Sequence, residues 1–363
     1  MLNFNDIFVD NTKYGMKIPK EKYLSVGLYP VIDQSKEQIA GYTDESEGIY
    51  CDVPAIIFGD HTRIIKYIDV PFFLGADGTK LLKIKDKATF NCKYLYYALS
   101  NTRIPDTGYN RHFKWLKELS FDIPSIEKQR EIADVMDMIV NLETLRKKQL
   151  EKLELLLKSR FIEMFGDPVS NPHKFTKVPL SELADIKIGP FGSLLHKEDY
   201  IENGHPVVNP SHIVNGNIVV DSRLTISDEK YEELAAYKLD IGDVVLGRRG
   251  EMGRCAVVPQ EGFLCGTGSV IIRTKGEVTS DYIQQIISFP TFKRTIEDMA
   301  VGQTMPNLNV PIVSNFLITK PPVEIQKRYY DFVEQVDKSK LAIQQSLDEL
   351  ETLKKSLMQQ YFG

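Results

Sequence analysis

"PSIEKQREIADVMDMI" occupies residues 124–139 and "PPVEIQKRYYDFVEQV" residues 321–336. Placing Pro124 over Pro321 gives an offset of 197 positions that holds without a gap to the end of the chain. Ile126 falls on Val323, Glu127 on Glu324, Gln129 on Gln326, Leu150 on Leu347, Leu153 on Leu350, Lys158 on Lys355 and Ser159 on Ser356. The register closes with Met164-Phe165-Gly166 over Tyr361-Phe362-Gly363. Such a match is an internal repeat, and a repeat constrains the architecture before any single motif does.

The repeated stretch reads as helix. Between Ser125 and Phe165 there is no Gly and no Pro, and apolar residues recur at helical spacing in Ile132, Val135, Met136, Ile139, Leu142, Leu150, Leu153, Leu156 and Leu157. Gly166 and Pro168 stop it. At 1.5 Å per residue the rod is on the order of 60 Å long. The second copy carries Tyr329, Phe332, Val333, Val336, Leu347, Leu350, Leu353 and Leu357. A single amphipathic helix is a generic dimerisation device; two on one chain pack most economically on each other. The expected seam is Ile132, Val135, Ile139, Leu150, Leu153 and Leu157 against Val333, Val336, Leu347, Leu350 and Leu353.

The stretches ahead of each helix repeat more loosely. "YPVID" at Tyr29 resembles "HPVVN" at His205, "AIIFGDHTR" at Ala55 lies over "DVVLGRRGE" at Asp243, and "GTKLLKI" at Gly78 lies over "GSVIIRT" at Gly268. Their offsets of 176, 188 and 190 grow along the chain, as insertions in loops would make them. Short β-rich runs broken by Gly, Asn and Asp alternate with helical stretches such as "CKYLYYAL" and "SDYIQQII", so each globule reads as α+β. The chain runs globule, rod, globule, rod: 1–123, 124–169, 170–320 and 321–363.

Composition narrows the function. The 363 residues are 42% apolar and 26% charged, an ordinary globular balance with room for two domains. No apolar run approaches the roughly 18 residues of a membrane span, and the N-terminus lacks the basic-then-apolar order of a signal peptide, so a soluble cytoplasmic protein is expected. Cys51, Cys92, Cys255 and Cys265 stand at unrelated spacings, which suggests neither disulfides nor zinc. The six histidines form no metal-ligand pattern, so no metal site is expected. Phosphate loops, dinucleotide fingerprints, H-E-x-x-H and G-x-S-x-G are all missing, and the chain is expected to catalyse nothing by itself.

What stands out is the polar chemistry of loops after strands and before the rods: "GDHTR" and "GYNRHFKWLK" in the first globule, "GRRGEMGR" and "GQTMPNLNV" in the second. Arg and Lys reach phosphates or guanine, and Asn, Gln and Thr read base edges. Equivalent loops of different sequence on a shared scaffold suit recognition of different targets. A coiled-coil scaffold with no DNA role explains the helices and leaves these loops idle; an autonomous DNA methyltransferase or nuclease needs a motif that is not seen.

The combination resembles the specificity subunit of type I restriction-modification enzymes along the whole chain. The motifs that carry it are Pro-x-[Ile/Val]-Glu-x-Gln at Pro124 and Pro321, "IKIGPFGS" at Ile186 and the "LKKSLMQQYF" ending. The resemblance implies an α+β chain with two target-recognition domains separated by two long helices packed as an antiparallel coiled coil, related by a pseudo-twofold internal repeat. It implies that each domain reads one half of a bipartite double-stranded DNA site. Two methyltransferase subunits and the restriction subunits would be partners, and S-adenosylmethionine, ATP and Mg would belong to them, with no cofactor in this chain. The net charge of −5 fits phosphate neutralisation shared with partners. The residues expected to face DNA are His61, Thr62, Arg63, Asn110, Arg111, His112 and Lys114 in the first domain. In the second they are Ser193, Lys197, Arg248, Arg249, Arg254, Gln303, Thr304 and Asn307.

Overall fold

A computed structural model of the chain describes residues 1–75, 78–108, 110–191, 194–300 and 307–363. It divides into two compact units, Met1–Leu150 with Ala342–Gly363, and Glu151–Leu341. Each unit is a globule joined by a stretch of both long helices.

In the first unit, "AIIFG" folds as the strand Ala55–Gly59, buried at every position, as β-branched and aromatic side chains in a central strand require. It pairs antiparallel with Thr79–Ile84 and Ile65–Ile68, and Phe8–Asp10 completes the sheet. A smaller sheet sets Tyr29–Ile32 parallel to Phe73–Leu74. The helix Cys92–Ser100 covers the larger sheet with Tyr94, Leu95 and Leu99, all almost fully buried. Leu2 and Asn3 pair with Phe121 and Ser120, fastening the start of the globule to its end.

The second unit repeats this plan. Its sheet runs Ala184–Ile188, Ser269–Thr274, Val244–Gly247, Cys255–Val257, and His205–Val208 lies parallel to Leu264–Cys265. Ile56 faces Leu82 and Gly59 faces Thr79; Val244 faces Ile272 and Gly247 faces Ser269. The two pairings match position by position at the offsets of 188 and 190 read from the sequence.

The rods are the helices Ile126–Phe165 and Val323–Phe362, each 40 residues long. Gly166 closes the first in the left-handed region at φ 73°, which a Cβ would oppose. The opening motif is a latch. Gln129, fully buried, accepts the N–H of Asn91 at 2.9 Å and donates to Pro124 O at 2.9 Å and Thr89 O at 3.0 Å. Gln326, also fully buried, accepts the N–H of Thr279 at 2.9 Å and donates to Pro321 O at 2.9 Å. Asn91 and Thr279 are the N-caps of the helices Cys92–Ser100 and Ser280–Ser288, so each rod is hydrogen-bonded to the cap of its globule's sheet-covering helix.

Within the first unit the helices run antiparallel: Lys128 and Ile132 lie beside Tyr361 and Phe362, while Glu143 and Lys147 lie beside Glu351 and Lys354. Phe362 packs on Tyr94 at 5.2 Å and accepts a hydrogen bond from Asn101 at 3.1 Å. Within the second unit Tyr329 donates to Leu157 O and packs edge-on against Phe161 and Phe165. Of the expected seam, Ile132, Ile139, Val336 and Leu347 are buried, and Val135, Leu150, Leu153, Leu157, Val333 and Leu350 are half-buried. Leu353 is not a seam residue, being 47% exposed. The seam passes through Leu350, Lys354 and Leu357, and Lys354 ion-pairs with the buried Glu143 at 2.8 Å. Among the described residues no helix is long and apolar enough to cross a membrane.

Candidate nucleic-acid interface

In the first globule two distant loops become one surface. After Gly59 the chain reverses: Gly59 N–H donates to Ile64 O at 2.8 Å, and Arg63, at φ 61°, donates its N–H back to Gly59 O at 2.7 Å. A Cβ on Gly59 would stand 2.1 Å from the Thr62 hydroxyl, so the turn needs glycine. The buried Asp60 accepts from His112 N–H at its carbonyl (2.7 Å) and from Phe113 N–H at its carboxylate (2.8 Å). This carboxylate caps the entrance to the short helix Phe113–Lys117 and welds the loop before that helix to the end of the strand.

His61, half-buried, places Nδ1 3.2 Å from Asn110 O, and Thr62 donates to Gln34 O at 2.7 Å. Arg63 pairs with Asp106 at 2.7 Å. Asn110 and Arg111 are exposed, and Lys114 is exposed over the ring of Trp115 at 4.8 Å. The expectation for His112 is corrected: it is 1% exposed, with Nδ1 3.0 Å from Asp60 O and Nε2 3.4 Å from the Thr107 hydroxyl. A ring sealed in this way holds the two loops together and has no free edge for a base.

The second globule joins the equivalent loops with different residues. Arg248 N–H donates to Gly268 O at 2.9 Å, and Arg248 O accepts from Leu308 N–H at 3.0 Å. Its side chain reaches the neighbouring loop, Nε donating to Asn307 Oδ1 at 3.1 Å and to Leu308 O at 3.2 Å. Burial, and then the charge of Arg249, hold the Arg248 guanidinium below its ordinary value. Arg249 is exposed. Arg254 pairs with Glu251 at 2.6 Å and donates to Pro210 O at 3.3 Å. Glu251 also meets Lys293 at 3.3 Å, and the hydrogen bonds from Arg254 and Lys293 hold its carboxyl below the usual carboxylate range.

The structure thus brings together His61, Thr62, Arg63 and Asn110 in one domain and Arg248, Arg249, Arg254 and Asn307 in the other. Lys197 lies exposed on the single turn Lys197–Asp199, with no hydrogen bond to the paired loops among the described residues. Ser193, Gln303 and Thr304 lie outside the described residues. Sequence reasoning missed Asp106, Glu251 and Lys293. Glu251 had a signal, because it stands three residues before Arg254 inside "GRRGEMGR"; the Arg63–Asp106 pair, 43 positions apart, had none.

A family model, the type I restriction modification DNA specificity domain, matches residues 3–155 and 172–352. The chain belongs to the type I restriction-modification specificity-subunit family. It is similar to the type I restriction enzyme MjaVIII specificity subunit of Methanocaldococcus jannaschii, 21% identical over 291 residues that cover 73% of this chain and 68% of that protein. The MjaIX specificity subunit of the same organism is 26% identical over 236 residues, 60% of this chain and 54% of that one. Among solved structures, the S subunit of a type I restriction-modification system from M. genitalium superposes with a TM-score of 0.65 at 16% identity, over 99% of this chain and 95% of that one. A chain from a study of assembly and conformational transition in the type I R-M system gives 0.61 at 16% identity, with the same coverage. At these identities the likeness to solved specificity subunits is one of fold.

Proposed function

We infer that this chain is the DNA-reading subunit of a type I restriction-modification complex, each α+β domain recognising one half of a bipartite duplex site. The observation that carries the reading is the duplicated loop pair. In both globules the loop ending the central strand is hydrogen-bonded to the loop before the short helix, and different polar side chains are mounted on it. Such a surface holds donors on a rigid scaffold, which costs little ordering on binding. The cations supply contacts to phosphates, and the Arg, Asn and Thr side chains supply readout of base edges in the major groove.

The chemistry then belongs elsewhere. Two methyltransferase subunits dock on the helices and carry S-adenosylmethionine, and restriction subunits bring ATP hydrolysis with Mg and cleavage. In the first unit Met138, Leu142 and Leu145, exposed at 63%, 39% and 56%, repeat at i, i+4 and i+7 beside the seam and offer a partner helix an apolar face. A target adenine flips out of the duplex into a methyltransferase pocket at a cost of a few kcal/mol. The test is to express the chain with its methyltransferase subunit and map adenine methylation across the host genome. Two fixed half-sites around an unread spacer are expected; modification at a single continuous site, or methyl transfer by this chain alone, would sink the reading.

A further inference from the structure

The three arginines of "GRRGEMGR" stand in three different electrostatic situations. Arg254 is paired inside its own domain with Glu251 at 2.6 Å, a carboxylate it shares with Lys293, and donates to Pro210 O at 3.3 Å. Arg249 is exposed, and no hydrogen bond or ion pair holds it among the described residues. Arg248 differs from both, being half-buried with no carboxylate partner among the described residues and a second guanidinium beside it.

A guanidinium has five N–H donors in a planar fork. In Arg248 the Nε–H is committed to Asn307 Oδ1 and Leu308 O, and the backbone is clamped on both sides by Gly268 and Leu308. That leaves the terminal edge, four N–H donors on two nitrogens, without acceptors among the described residues. Partly desolvating a cation beside another cation is costly unless an acceptor arrives. The edge held in place is the one that matches guanine O6 and N7. A phosphate could also be met from a mobile arginine, and Arg249 beside it is free to do that. The repeat gives a contrast, since the position equivalent to Arg248 in the first domain is Asp60, a buried carboxylate that accepts from Phe113 N–H.

Resting on the DNA-reading function, we propose that Arg248 reads one guanine of the second half-site through O6 and N7, that Arg249 neutralises a phosphate, and that Arg254 only holds the loop. The step is recognition of a purine edge in the major groove, and its anchor is Asn307.

The test uses the assembled complex with its methyltransferase subunits and a duplex carrying the site found by methylation mapping. Each guanine of the second half-site is replaced in turn by 7-deazaguanine, which lacks the N7 acceptor. One replacement should weaken binding about 5- to 150-fold in the wild-type complex and have no further effect in the Arg248→Ala complex. Arg248→Lys keeps the charge and should lose that discrimination while binding random duplex as the wild type does, which separates loss of reading from loss of folding. Arg249→Ala should lower the slope of log affinity against log salt by about 0.9 and leave every base preference intact. If Arg248→Ala weakens all duplexes equally and lowers the salt slope, the assignment is wrong although the chain still reads DNA. A wild-type complex with no preference for its mapped site would instead overturn the function on which the assignment rests.

Discussion

Gln129 and Gln326 show what one side chain of the repeated motif does. Each is fully buried and satisfies a cap N–H with its carbonyl and main-chain carbonyls with its amide. Replacing Gln129 by Met keeps the volume and strands those groups, so urea denaturation should show a loss of about 1–3 kcal/mol, with the same expected for Gln326→Met. An unchanged midpoint would mean that the latch contributes nothing. The motif was legible in the sequence, but its purpose was not, because the partners Asn91 and Thr279 lie 38 and 47 positions away. Cysteine gives a second residue-scale expectation. Burial pushes the thiols of Cys92 and Cys255 up to about 12 and raises that of Cys265, whereas Cys51 is exposed. Raising a thiol removes the reactive thiolate at neutral pH. Iodoacetamide at pH 8 should therefore label Cys51 in the native chain and reach the other three only after unfolding, as peptide mass spectrometry would reveal.

At the scale of the helices, the period was legible and the phase was not. Seam positions in the first helix fall at Ile132, Met136, Ile139, Glu143 and Leu150, and in the second at Leu347, Leu350, Lys354 and Leu357. Two leucines, Leu142 and Leu353, lie one residue away from the polar seam positions and are 39% and 47% exposed. One residue is 100° of helix, so counting apolar residues favours the leucines while packing selects Glu143 and Lys354. A charged pair within a seam is expensive when half of it is removed and is best attested as a device that fixes register. Lys354→Met should cost about 2 kcal/mol, toward the weaker end for buried pairs because Lys354 keeps some solvent. Glu143→Leu combined with Lys354→Leu should match or exceed the stability of the wild type. A double variant as unstable as the single one would show that the pair stabilises by more than its mutual compensation.

For the molecule as a whole, the strand pattern, the repeat and its growing offsets carried the α+β fold, since an offset between two copies survives even where individual loops differ. The loop partners were hidden because Arg63 and Asp106 meet through tertiary structure alone. If each α+β domain reads a half-site, the long helices are the element that can separate the readings, and half-sites about 34–36 Å apart would present the same face of the duplex. Lys148 and Gln345 are equivalent in the repeat at the offset of 197. Inserting four residues after each adds about 6 Å of helix, or one to two base pairs at about 3.4 Å each. Four residues nearly complete a turn and keep the apolar seam facing its partner; two residues would turn the seam to the far side and should abolish assembly. Methylation mapping of the four-residue variant should show both half-sites unchanged around a spacer longer by one or two pairs. An active complex with the original spacer would mean that the helices do not set the distance, and altered bases inside a half-site would mean that helix length and reading surface are not separable.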